Sequence, residues 1–278
     1  MTLDTCFYVA SFTKQVTAIA CMQLVEHGKA NLDDPQILYE FCPEIEQKQV
    51  LDGKTQNLVP RQGDITLRML LNQTTGFGYE FSNQRLVDYA RAGGRGGAQK
   101  GDFNVFGADI NEVMDHPLVN QPGTAFECGV NIDWVGIFIE RFTKLTLSQY
   151  FRKYIFEPLG INNVDFYPNC HMREHMAAMY KRGSEGTTEE RPHLLRRALE
   201  AATPEQQQQI HCSGGAGLFA QPSNYVKIIA ALLNDGVSAA TGNRILKSET
   251  VEAMWVEPDP PIPRLRASSW KSGEPTPG

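Results

Sequence analysis

Read for its apolar and polar positions, the chain alternates strongly patterned helical stretches with long segments of weak period. β-Branched and aromatic residues over 5–10 predict a short strand that turns directly into a helix. That helix is apolar on every side at Ala18-Ile19-Ala20-Cys21-Met22, so it is expected to be buried, and Gly28 is its C-cap. Between 33 and 63 no period is sustained, and Asp52-Gly53 and Pro60 mark turns, which predicts a mostly extended connector. Residues 65–72 predict a short helix closing at Gly76. Trp134, Phe138 and Phe142 then share one helical face. Thr146-Leu147-Ser148-Gln149 is a capping box for the next helix, with Tyr150, Phe151 and Tyr154 facing inward and Pro158 as its stop. Charged, glutamine-rich residues 181–209 read as a surface excursion. Ser223 is expected to cap a helix through Val226, Ile229, Leu232 and Leu233 to Gly236. A last helix over 248–256 runs into an extended, proline-rich segment at 258–263.

Composition narrows the function classes. The 278 residues allow one large domain or two small ones, and a net charge of -6 with both signs interspersed leaves no basic stripe for nucleic acid. No apolar run approaches membrane-spanning length, and the N-terminus lacks a basic region followed by an apolar core. A cytoplasmic chain without a membrane partner is therefore expected. The six cysteines are scattered without a Cys-x-x-Cys pair, mostly in or beside apolar runs, which predicts buried free thiols rather than disulfides. Gly93-Gly94-Arg95-Gly96-Gly97 has no buried strand before it and no Lys-Ser/Thr pair opening a helix after it, so it reads as a surface loop rather than a phosphate cradle. His171 and His175 are spaced i, i+4 beside Cys170 but have no identifiable third ligand, and no metal is expected.

The candidate chemistry is at Ser11 and Lys14. Positions i and i+3 share a helix face, so the hydroxyl and the amine come within hydrogen-bonding reach. A serine hydroxyl needs a neighbouring base to act as a nucleophile, and lysine can serve once apolar surroundings and the helix N-terminus lower its pKa. The spacing alone also fits a helix N-cap with a solvated lysine.

The segment Asp4-Thr5-Cys6-Phe7-Tyr8-Val9-Ala10-Ser11-Phe12-Thr13-Lys14, with Gln23-Leu24-Val25-Glu26-His27-Gly28-Lys29 and Leu32-Asp33-Asp34-Pro35, resembles the serine β-lactamase and penicillin-binding-protein superfamily. Within it the chain looks most like class C related esterases and fungal transesterases that acylate polyketides. Gln73-Thr74-Thr75-Gly76-Phe77-Gly78-Tyr79 is similar to a family loop near the active site, which makes Tyr79 a candidate pocket wall. Residues 122–136 resemble the family's second box, and Cys128 stands where the relatives carry a tyrosine that shares proton traffic with serine and lysine. Three readings of Cys128 follow: an inert small hydrophobe, an acid/base group, or a nucleophile activated by Lys14. Asn131 matches a polar side chain of that box and is expected to point into the pocket. The stretch from His211 to Ala220 resembles one that is structural and pocket-lining in the family, with Gly214 and Gly215 as the substrate-side positions. Lys271-Ser272-Gly273 spells a lookalike of the family's third element, but flanking prolines favour a frayed tail.

The fold this resemblance implies is α+β and serine β-lactamase/transpeptidase-like, an antiparallel sheet with a large helical region over about 65–210 in a single domain 1–278. The sheet is expected to be short of strands at both ends. The implied function is serine-dependent acyl transfer, as transesterase, acyltransferase or esterase, in fungal secondary metabolism. Ser11 attacks an ester or thioester, Lys14 takes its proton, and backbone N–H groups including that of Ser11 hold the oxyanion. The implied partners are a small-molecule acyl donor, including a carrier-bound acyl thioester, and a small-molecule acceptor, with no cofactor. The alternative is a catalytically silent or truncated relative.

Overall fold

A computed structural model describes residues 1–55, 57–92, 110–183 and 186–256. The glycine cluster at 93–97, the proline-rich segment and Lys271-Ser272-Gly273 lie outside the described residues.

In chain order the elements begin with β1 (Phe7–Tyr8), a 3-10 turn over Ala10–Phe12, α1 (Thr13–Glu26), α2 (Pro35–Phe41), α3 (Pro43–Glu46), β2 (Val50–Leu51) and β3 (Leu58–Val59). There follow α4 (Leu67–Leu71), a 3-10 turn over Glu80–Ser82, α5 (Gln84–Arg91), α6 (Ile110–Met114), α7 (Asn131–Thr143) and α8 (Leu147–Phe151), which continues into a π turn over Arg152–Phe156. Then come β4 (Val164–Asp165), α9 (Cys170–Glu174), β5 (Met179–Arg182), β6 (Thr188–Arg191), α10 (Arg196–Glu200) and α11 (Pro204–Gln208). Last are β7 (Phe219–Ala220), α12 (Pro222–Leu233) and α13 (Ser248–Ala253).

The fold is α+β, as expected. Its largest described sheet is antiparallel in the order β1-β7-β4, with Phe7 and Val164 both opposite Ala220, and Tyr8 and Asp165 both opposite Phe219. β2 pairs with β3 and β5 with β6 in separate antiparallel hairpins. The main core forms where α1 crosses α7. Val16, Ile19, Ala20 and Cys21 of α1 and Trp134, Val135, Phe138 and Ile139 of α7 are all fully buried. Nine successive residues of α7, from Asn131 to Ile139, are buried. A helix with no wet face over that length is a central strut, and the polar residues on it must be satisfied internally. Among the described residues no helix is long and apolar enough to cross a membrane.

Local start and stop signals are obeyed. Gly28 and Gly76 have φ of +66° and +95°, left-handed values that favour glycine and end α1 and the turn after α4. The Thr146–Gln149 capping box closes in both directions.

Five expectations are corrected, the last being that all the thiols are buried. The stretch 33–63 is not mainly extended: it holds α2 and α3, each opened by a proline at its first turn, and the Asp34 side chain accepts from the Gln36 N–H. Helices of seven and four residues are too short to display a period. α12 starts at Pro222 with Gln221, not Ser223, as N-cap. The buried face is accordingly rotated to Tyr225, Ile228, Ala231 and Leu232, leaving Val226 54% and Leu233 80% exposed. Tyr154 is 39% exposed, because the π turn swings it off the inward face. Part of 181–209 packs: Leu195 and Ala198 are buried against Cys6, Met172 and Phe219. Of the cysteines, Cys6, Cys21, Cys42 and Cys212 are buried, Cys128 and Cys170 are exposed, and all six are free.

Candidate active site

The turn before α1 is fixed from a distant part of the chain. The Val9 N–H donates to the Leu218 carbonyl at 3.0 Å. The Thr13 hydroxyl donates to the Ala10 carbonyl at 2.7 Å and accepts from the Leu218 N–H at 3.0 Å. Between these pins Ala10 takes a φ of +45°, which costs an L-residue about 1–2 kcal/mol and persists only when its surroundings impose it. Ser11 follows on the 3-10 turn and is solvent-exposed.

Lys14, one turn on, is half-buried and makes three polar contacts. Its Nζ lies 3.2 Å from Ser11 Oγ, 3.2 Å from the Tyr79 hydroxyl and 2.9 Å from the Gly215 carbonyl. The Gly215 carbonyl is in turn placed by Asp133 on α7, whose carboxylate accepts from the Ser213 hydroxyl at 2.5 Å and from the Gly215 N–H at 3.1 Å. A β-carbon on Gly215 would stand 2.3 Å from Asp133 Oδ2, so only glycine lets this backbone reach both the carboxylate and the lysine. Gly214 serves packing: its carbonyl accepts from the Thr17 hydroxyl at 2.7 Å, and a β-carbon there would meet the Ile132 carbonyl oxygen at 2.7 Å.

The structure therefore brings Ser11, Lys14, Tyr79 and Gly215 together around one nitrogen. Tyr79 is 3% exposed, stacked on Phe81 with ring centroids 4.8 Å apart. Its phenol is held well above the usual tyrosine range, first by burial and then by the charges of Asp133, Cys128 and Tyr8. It is more than the pocket wall foreseen, since its hydroxyl reaches the lysine.

Asn131 stands apart from that cluster, while Cys128 lies within electrostatic range of Lys14 and Tyr79. Among the described residues the Lys14 amine is bonded to Ser11, Tyr79 and Gly215 and not to the Cys128 sulfur. Cys128 is solvent-exposed, yet the atoms packed around it raise the thiol's pKa; the Lys14 charge opposes this, while Glu127 and Asp133 add to it. Asn131 is fully buried rather than pocket-facing. Its Oδ1 accepts from the Thr75 hydroxyl, and its Nδ2 donates to the Phe77 carbonyl at 3.3 Å and the Glu127 carbonyl at 3.1 Å. It ties the loop before Tyr79 to the turn that carries Cys128.

Asp133 was missed as a site residue. The signal was available: a single carboxylate among Ile132, Trp134, Val135 and Ile137 on an otherwise apolar stretch must have donors waiting for it.

A domain model described as Beta-lactamase matches residues 1–275. The chain belongs to the Beta-lactamase family. This Beta-lactamase chain is 33% identical over 260 residues to the ML-236A carboxylate methylbutanoyltransferase of Penicillium citrinum, covering 92% of this chain and 57% of that protein. It is 33% identical over 259 residues to the lovastatin esterase of Penicillium rubens, covering 91% of this chain and 60% of that one. Among solved structures, unliganded simvastatin synthase (LovD) from Aspergillus terreus superposes with a TM-score of 0.72 at 31% identity, over 93% of this chain and 60% of that chain. The Beta-lactamase chain thus spans about three-fifths of the length of these relatives.

Proposed function

We propose that the protein is a serine-dependent acyltransferase or esterase acting on small-molecule esters or thioesters. The observation that carries this reading is the 3.2 Å contact between Lys14 Nζ and Ser11 Oγ, made by a lysine that two further contacts keep in place. Lys14 as the free amine takes the Ser11 proton while Ser11 Oγ bonds to the acyl carbon. The Ser11 N–H sits at the first turn, where helical N–H groups have no intrahelical acceptor, and it serves as one oxyanion donor. An alcohol or water then accepts the acyl group by the reverse proton path.

The chemistry uses the protein's own side chains and backbone N–H groups and needs no cofactor. The relatives' names, a methylbutanoyltransferase and a lovastatin esterase, support fungal secondary metabolism as the setting. An acyl thioester on a carrier suits Ser11, because the exposed nucleophile admits a donor presented from outside the molecule. The site is assigned to one domain working in the cytoplasm.

A serine-directed fluorophosphonate should label the protein at Ser11, and Ser11→Ala should abolish both labelling and turnover of a short-chain thioester. Labelling that persists on Cys128 in that variant overturns the reading.

A further inference from the structure

We propose that Tyr79 is the proton donor to the departing group, so that Ser11, Lys14 and Tyr79 form one relay; this rests on the acyl-transfer reading above. Two hydroxyls meet one nitrogen, Ser11 Oγ and the Tyr79 hydroxyl each 3.2 Å from Lys14 Nζ, and the Gly215 carbonyl at 2.9 Å holds that nitrogen between them. As an ammonium, Lys14 spends its three N–H donors on these three oxygens, so a proton gained from one hydroxyl is already aimed at the other.

The step balances as follows. Ser11 Oγ bonds to the acyl carbon and its proton moves to the Lys14 amine. The tetrahedral oxyanion collapses, and the bond from the acyl carbon to the leaving oxygen or sulfur breaks with its electron pair on the leaving atom. The Tyr79 hydroxyl protonates that atom, and the Lys14 ammonium returns a proton to the phenolate. Net, the Ser11 proton ends on the leaving group, and Lys14 and Tyr79 return to their starting forms.

The surroundings set the direction of transfer. Burial and the nearby Asp133 charge keep the phenol protonated until a stronger base, the departing alkoxide, forms beside it. Packing explains the Tyr79 ring on Phe81 but not the placement of its hydroxyl on Lys14. Cys128, exposed and not among the three groups bonded to the Lys14 amine, has no equivalent connection.

The test compares two esters of one acyl group. A 4-nitrophenyl ester loses its leaving group as a stable anion, whereas an ethyl ester needs its leaving oxygen protonated. Tyr79→Phe keeps the ring and removes the hydroxyl. It should lower kcat/KM about 10²-fold on the ethyl ester and less than about threefold on the nitrophenyl ester, whose retained rate also reports a folded site. Equal losses on both esters, or no loss on either, overturn the proposal. Should the variant fail to fold, 3,5-difluorotyrosine at position 79 keeps the shape and lowers the phenol pKa. The alkaline limb of the ethyl-ester profile should then move to lower pH, and an unmoved limb overturns the proposal. Ser11→Ala is run alongside: turnover that survives it defeats the acyl-transfer reading itself, independently of Tyr79.

Discussion

The start of α1 and the start of α7 both carry motif residues, and the structure uses them in opposite ways. At α1 the side chains are left reactive: Ser11 is exposed, Lys14 bridges two hydroxyls, and strain at Ala10 is held by bonds from Leu218. At α7 Asn131 is consumed by Thr75, Phe77 and Glu127, and Asp133 by Ser213 and Gly215, while Cys128 faces solvent. One helix end gathers the candidate catalytic side chains, and the other ties down the loops around them. A motif residue matched by position is thus not assigned a role by position. What its polar atoms are bonded to decides.

That contrast breaks most sharply at Lys14. Lys14→Arg keeps the positive charge but cannot be deprotonated, so turnover should fall about 10³-fold, as far as with Lys14→Ala. Steady-state thioester turnover with both variants checks this, and activity surviving in the arginine variant would make the lysine a fixed charge only.

At the other helix the expected effect is on stability. Asn131→Ala strands the Thr75 hydroxyl and the Phe77 and Glu127 carbonyls in a buried place, which should cost about 3 kcal/mol in urea unfolding. A loss below about 1 kcal/mol, within the range of a single ordinary hydrogen bond, would show that the network is not what holds the loops. The smallest effect is expected at Cys128. Cys128→Ser should change turnover by less than about threefold, against the 10² or more that follows loss of a positioned proton-transfer group. A drop of that larger size would move the relay to the α7 side and erase the contrast.

How much was legible from the sequence follows the range of the interactions. The end of α1 at Gly28 and the Thr146–Gln149 cap depend on near neighbours in the chain, and pattern reading found them. The Ser11–Lys14 pair is of the same kind, separated by three positions. The Tyr79 hydroxyl lies 65 positions from Lys14 and Asp133 lies 82 from Gly215, and no local pattern states that those atoms meet. Asn131 went the other way: the resemblance pointed it at the pocket, and burial inside α7 turned it into a tie. The short helices α2 and α3 were hidden because their proline starts were legible while their length gave no period.

The clasp at Thr13 has a further consequence for how the chain matures. The turn that carries Ser11 is shaped by Leu218, 205 positions from Thr13, and among the described residues β1 pairs with β7. Contacts of such long sequence separation close slowly, since the loop entropy is spent before the contact repays it. On the ribosome, α1 therefore emerges with the turn at Ser11 unclasped, and that clasp waits for Leu218 some two hundred residues later. A chain arrested before Leu218 emerges could already pack α1 against α7, yet the turn that carries Ser11 would lack its clasp, so that geometry comes among the last events of folding.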